Sequence, residues 1–356
     1  MKSDIIDRRL RNQRLTRSEF RDPADVVTWL GAVQSQDYPG ARWGVGLRNP
    51  GLTSDAFDRA FDEGRILRTH ILRPTWHFVP PADIRWMLSI SAPRVHAISA
   101  SYYRKLDMDR AIVARSRKVF ERALRGGKQL TRAELSVALG RAGIVAKGQR
   151  LAAFVMHAEL DQVLCSGPRR GKQFTYMLID ERAPGAAMLE RDAALAELTR
   201  RFFRSHGPAT LRDYSWWSGL TMREAREGVE SIRSALVQEK IGELTYWMAQ
   251  SRGAAPSARD SLFLLPNYDE YLIAYRDRGN AQRLPTTADA PRGFDIFAHF
   301  LVVDGRFAGT WRRAETGGGV RISVTPFEPF GRSHARALAA AVERHGEFLQ
   351  MPASLV

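Results

Sequence analysis

LTRAELSVALGRAGIVAKGQRLAAFVMHAELDQVLCSGPRRGKQFTYML, residues 130–178, decides the architecture. Thr131 and Glu134 have capping-box spacing, and Leu130 and Leu135 flank them as a hydrophobic staple. A helix therefore opens here, runs through Val137 and Leu139, and stops near Gly140. A second helix is predicted from about Gln149 to Glu159, with Leu151, Phe154 and Val155 on one face. Gln162–Ser166 and Gln173–Leu178 then read as strands. The turn between them carries Arg169, Arg170 and Lys172 at its tip. Helix, turn, helix and basic-tipped hairpin is the plan of a winged helix, whose tip lies along a phosphate backbone or enters a groove. The same charges would also keep an ordinary exposed hairpin soluble, but three cations within four residues exceed that need.

Working outward, a similar unit follows. A long amphipathic helix is predicted over Leu189–Ser205, broken by His206-Gly207-Pro208-Ala209. Thr210 caps a short helix through Trp216-Trp217-Ser218, with both indoles expected to pack inward. Thr221 and Glu224 form another capping box, opening a helix to about Ala235 that carries Arg223, Arg226 and Arg233. Gly242–Met248 is then a strand. Toward the N-terminus the pattern is less regular. Thr16 and Glu19 read as a capping box stapled by Leu15 and Phe20. Asp22-Pro23 starts a helix whose buried stripe is Val26, Leu30 and Val33, ended by Asp37-Tyr38-Pro39-Gly40. A helix over Ser54–Glu63 and a strand over Ile66–Val79 follow, and Pro80-Pro81-Ala82-Asp83 opens the next helix. The last quarter turns β-rich. Leu262–Pro266, Phe300–Trp311 with a tight turn at Asp304-Gly305, and Arg321–Val324 read as strands. A helix from about Ser333 to Gln350 closes the chain.

The chain has 356 residues, 54 Lys+Arg and 39 Asp+Glu, a formal net charge of +15. This length fits several small domains. With 44% hydrophobic and 26% charged residues, a folded core is expected. The excess positive charge is spread through structured segments, which favours a polyanion such as nucleic acid bound by folded elements. A generally Arg-rich composition with solvated faces is the competing reading. The single cysteine, Cys165, excludes an internal disulfide and a Cys-based zinc site. A reducing, cytoplasmic compartment and no membrane association are expected.

No P-loop, G-x-S-x-G, H-E-x-x-H or glycine-rich dinucleotide turn is present. His70 and His77 stand apart from other ligands, so neither a metal nor a cofactor is expected. The unusual segment is Ala32-Val33-Gln34-Ser35-Gln36-Asp37-Tyr38-Pro39. On a continuing helix Gln34 and Gln36 would point about 200° apart. Both address one pocket only if the helix ends or distorts between them. Neutral amides are poor acids and bases, but they position a water or bind a base edge. That suits a substrate carrying its own positive leaving group, such as an N7-alkylated purine. Alternatively, the two glutamines only cap the helix end. Downstream, strand alternation puts Arg73, Thr75 and His77 on one face, available to line a nucleotide cleft or simply to face water.

VQSQDYPGARWGVGLR (33–48), RTHILRPTWHFVPPADIRWML (68–88), HGPATLRDYSWWSGLT (206–221), LLPNYDEYLIAYRDR (264–278) and VVDGRFAGTWRR (302–313) together resemble a winged-helix DNA-binding family. It includes bacterial DNA glycosylases that unhook interstrand crosslinks and give self-resistance to azinomycin-type antibiotics. The resemblance covers nearly the whole chain. It implies an α+β, helix-rich fold of three tandem winged helix-turn-helix units in a C-shape around a DNA channel. These fall at 1–125, 126–186 and 187–265, with a β-rich module at 266–356. It implies monofunctional excision of N7-alkylguanine by a Gln-x-Gln motif, here Gln34-Ser35-Gln36, with Ser35 where the middle residue is usually aliphatic. Gln34 and Gln36 would orient water and stabilise an oxocarbenium-like transition state, with Asp37 a weaker electrostatic partner. Arg73, Thr75 and His77 would shape the cleft. Arg169, Arg170 and Lys172, then Arg223 and Arg226, would contact phosphates of double-stranded DNA, engaged by a monomer at the nucleoid. The rival is a non-catalytic winged-helix regulator.

Overall fold

The computed structural model describes residues 2–250, 258–276 and 298–356. Asp277 and Arg278 of the 264–278 motif lie outside them. Helix α1 (Lys2–Asn12) precedes α2 (Pro23–Leu30). The Asp22 side chain accepts the Ala24 amide at 2.8 Å, and Pro23 presets the first turn. β1 (Val33–Gln34), α3 (Tyr38–Gly46), α4 (Ser54–Asp62), β2 (Leu67–Ile71) and β3 (Arg73–Val79) follow, in a sheet ordered β1-β3-β2. After α5 (Ile84–Lys105) come α6 (Arg110–Leu124), β4 (Leu130–Thr131), α7 (Arg132–Arg141), α8 (Gly148–Leu160), β5 (Leu164–Ser166) and β6 (Thr175–Leu178), with strand order β4-β6-β5. α9 (Ile179–Arg182) leads to α10 (Arg191–Ser205), α11 (Leu211–Ser218), α12 (Met222–Ser231) and the hairpin β7 (Leu236–Ile241) and β8 (Leu244–Ala249). A bridge between Ala209 and Trp247 stands where the third strand would be. Helix, short strand, two helices and hairpin thus recur three times, from α2, α6 and α10.

The rest is a sheet ordered β13-β12-β11-β10-β9. It comprises β9 (Leu262–Leu265), β10 (His299–Val303), β11 (Arg306–Thr316), β12 (Gly319–Pro326) and β13 (Ala353–Leu355). α13 (Glu270–Ile273) and α14 (Arg332–Leu349) accompany it. Its core takes Ile6 and Leu10 from α1 and Trp43 from α3, so the N-terminal helix packs on the C-terminal module. A second core, of α2, α3 and α4 with Val33, Ile66 and Phe78, lies under β1. The third and largest runs through the helices from α5 to α12 and the three hairpins β2–β3, β5–β6 and β7–β8. The result is a mixed α+β fold. No described helix is long and apolar enough to cross a membrane.

Several expected boundaries are corrected. Thr16 and Glu19 cap nothing, since residues 16–21 form no helix. No apolar helical period follows them, and Pro23 keeps Asp22 extended. The helix expected to reach Val33 stops at Leu30, where Gly31 adopts φ 84. Asp37-Tyr38-Pro39 begins a helix instead of ending one. The strand expected over Ile66–Val79 is a hairpin turning at Leu72, φ 62. Trp217 is buried as expected, but Trp216 is 46% exposed. The helix expected to reach Ala235 ends at Ser231, and β7 follows it. β9 lies before residue 266 yet pairs with β10, so it belongs to the C-terminal sheet. α6 lies before residue 126 yet packs on α7 and β6.

Candidate active site

Gln34 lies on β1, not on a helix end. It is held extended by the antiparallel register Gln34↔His77 and by Ser35, whose amide donates to the Trp76 carbonyl at 2.7 Å. β1 ends at Gln34, and Gln36 sits in the bend that leads into α3, so the 200° spacing of a continuing helix does not apply to the pair. The structure buries Gln34 to 6% exposure and leaves Gln36 exposed. Fully buried Ser35 is fixed from behind as well. Its carbonyl accepts from Arg68 Nε at 3.2 Å and Nη2 at 3.1 Å. The Arg68 guanidinium is sandwiched between the rings of Trp76 and Phe174, at 4.3 and 4.5 Å. These rings open onto a cleft of about 420 Å³ that includes Lys172 and Tyr176, on the far face of the sheet from Gln34.

On the Gln34 face, the side-chain Oε1 accepts from Arg73 Nη2 at 2.7 Å. The backbone amide of Gln34 donates to Glu270 Oε1 at 2.9 Å. The other oxygen of Glu270 accepts the Trp217 indole N–H at 2.8 Å and lies 3.4 Å from His206 Nε2. Glu270 is 1% exposed. Burial pushes its carboxyl up, but His206 and the Gln34 amide outweigh that and hold it below the ordinary value, so it stays ionised. Asp269 sets its place by capping α13 while chelating buried Arg48 at 2.8 and 2.9 Å.

His77 is fully buried and donates from Nδ1 to the Thr75 carbonyl at 3.0 Å. Burial first, then the Arg73 charge, pushes its pKa down to about 3, so the ring is neutral. Its Nε2, with the hydroxyls of Thr75 and Thr69, has no protein partner among the described residues. These orphaned polar atoms belong to the face that carries Gln34, where a water or a substrate hydroxyl, able to donate to His77 Nε2, would satisfy them. Gln34, Arg73, Thr75 and His77 are therefore brought together.

The other expected residues are not. Asp37 is half-buried at the head of α3, makes no cap hydrogen bond, and exerts its field on His299 and Arg313 of the C-terminal sheet. Arg169 docks the hairpin onto α4. Its guanidinium lies 2.5 Å from Asp58, and its amide donates to Asp62 at 2.7 Å. Arg170 pairs with Glu134 at 2.9 Å while 54% exposed. Lys172, Arg223 and Arg226 are exposed. Of these, only Arg223 meets a carboxylate among the described residues, Glu227 at 3.8 Å. Sequence reasoning assigned no role to Glu270 or His206 and placed Trp217 only in the core. Their signal was two acids inside the apolar run LLPNYDEYLIAY and a histidine at a helix break.

A buried amide, arginine and ionised carboxylate, in a chain of net charge +15, make a candidate site for nucleic-acid chemistry. The AlkZ-like DNA glycosylase family model matches residues 27–348. The interstrand DNA cross-link repair glycosylase of Streptomyces sahachiroi is 25% identical, with 94% of this chain and 93% of that protein covered. The solved structure of Streptomyces sahachiroi DNA glycosylase AlkZ matches with a TM-score of 0.81 and 20% identity, over 99% of each chain. This chain belongs to the AlkZ-like DNA glycosylase family, enzymes that hydrolyse N-glycosyl bonds in DNA.

Proposed function

We propose that this enzyme excises cationic N7-alkylated purines from double-stranded DNA, leaving an abasic site. We extend the proposal to bulky adducts and to the unhooking of interstrand crosslinks, the activity named for the Streptomyces sahachiroi relative. One observation carries the reading: the two titratable groups paired with the Gln34 backbone, Glu270 and His77, hold no acid proton. His77 is pushed down to about 3 and Glu270 is held ionised. An ordinary purine leaves badly without an acid. An N7-alkylated purine is already positive and departs neutral.

Gln34 spends its carbonyl on Arg73, so its N–H groups are left to grip a sugar, phosphate or base oxygen. Exposed Gln36 offers the acceptor that orients the attacking water. Glu270 places a buried negative charge behind them, where positive charge develops on the sugar. Asp37 adds only long-range negative potential.

The three recurrences of helix, strand, two helices and hairpin support winged-helix units in a C-shape around the duplex. Lys172, Arg223 and Arg226 serve as phosphate contacts. The enzyme works as a monomer in the cytoplasm. The test is base release from a duplex holding one N7-methylguanine, read as alkali-labile breaks. Wild-type release that falls at least about 100-fold in Gln34→Ala and Gln36→Ala supports the reading. Binding without release, there and on a crosslinked duplex, would favour a non-catalytic DNA binder.

A further inference from the structure

Outside the Gln34 site, α5 and the end of α8 bring together His96, His157 and Asp161. The Asp161 carboxylate faces His96 Nε2 at 3.0 Å through one oxygen and His157 Nδ1 at 3.2 Å through the other. All three ligand atoms lie within 4.8 Å of one another, and the two imidazole centroids are 4.4 Å apart. Two ligands sharing a tetrahedral ion at about 2.1 Å sit about 3.4 Å apart, so the carboxylate-to-imidazole spacings already approach those of a filled site. Behind the first ring, the Tyr103 hydroxyl lies 3.4 Å from His96 Nδ1, where it can take the second N–H of a metal-bound imidazole. Side-chain exposures of 25% for His96, 19% for His157 and 32% for Asp161 leave room for a water ligand. Arg117 of α6 is the cation whose field reaches Asp161, and Glu121 offsets it at 2.8 Å.

We infer that His96, His157 and Asp161 form a binding site for a divalent transition-metal ion of the zinc class, completed by water. Two histidines and a carboxylate suit such ions better than magnesium or calcium, which prefer all-oxygen sets. The site's work is mechanical. It ties α5, which continues from the strand carrying Arg73 and His77, to α8, whose Glu159 binds His70 of β2. Among the described residues, none of the three ligands forms a hydrogen bond or ion pair with Gln34, Arg73, His77 or Glu270, so the ion is assigned no part in base release.

The test uses the full chain, tag-free and stripped with chelator. One equivalent of Co²⁺ should bind and give a visible d–d band. Zn²⁺ should raise the melting midpoint by a few degrees at about hundredfold excess over its Kd. His96→Asn and His157→Asn, each with an unchanged circular dichroism spectrum, should weaken binding at least tenfold. His334→Asn, at a separate histidine, should leave it intact. No cobalt band in the wild type, or equal binding by the His96 and His157 variants, would overturn the site and leave a simple ion pair.

Discussion

Each of the two Glu270 oxygens accepts from a fixed donor, Gln34 N–H on one side and the Trp217 indole on the other. Glu270→Gln therefore turns an N–H against one of those donors. Urea unfolding should show a loss of about 1–3 kcal/mol. Base release should drop about 100-fold, beyond what the remaining folded fraction explains, because a preorganised charge is lost. His77 makes a second prediction. Its folded pKa, about 3, lies below its ordinary 6.5, so folding excludes the proton. The stabilisation is complete above pH 6.5 and is lost progressively as the pH falls toward 3, by at most about 5 kcal/mol at 1.36 kcal/mol per unit. Glu270, also depressed, acts in the same direction. Denaturation midpoints measured across that interval should fall steeply, and less steeply in His77→Asn.

Among elements, the turn between β2 and β3 leans on the C-cap of α11. Gly219 adopts φ 72 there, and a Cβ would sit 2.1 Å from the Leu72 carbonyl oxygen. Gly219→Ala is expected to cost about 3 kcal/mol or more, left-handed strain plus the clash. Because Arg73 begins the strand after that turn, glycosylase activity should fall with stability, as thermal melts beside base-release rates will show. The capping boxes Thr131–Glu134 and Thr221–Glu224 were legible because each closes within four residues. The same spacing at Thr16–Glu19 misled, since a cap without an apolar stripe to bury starts no helix. β1 was illegible. Two residues of strand look like the tail of α2 until β3 pairs with them.

For the whole molecule, charge bound in internal pairs is unavailable to DNA. The Arg169 guanidinium is spent on Asp58, whereas Lys172 is exposed. Lys172→Ala should therefore reduce the slope of log K against log salt by about 0.9. Arg169→Ala should leave that slope nearly unchanged and instead lower the melting temperature by loosening the hairpin from α4. Fluorescence anisotropy at several salt concentrations separates the two. The net charge of +15 signals a polyanion but cannot say which cations face it.

By itself the sequence determined the α+β class, the helix–hairpin units, the net positive charge and the family, and it offered Gln34, Arg73 and His77 as candidates that the structure brings together. These rest on local period, local capping and residue chemistry, all of which act along the chain. Only the tertiary structure decided that Gln34 is extended, that its carbonyl faces Arg73, and that a carboxylate from the other end of the chain stands behind it. Glu270 reaches Gln34 because Arg48 and Asp269 lock α13 against α3 in a buried ion pair. No spacing rule predicts a contact between residues so distant in sequence, since burial and charge pairing, not chain proximity, create it.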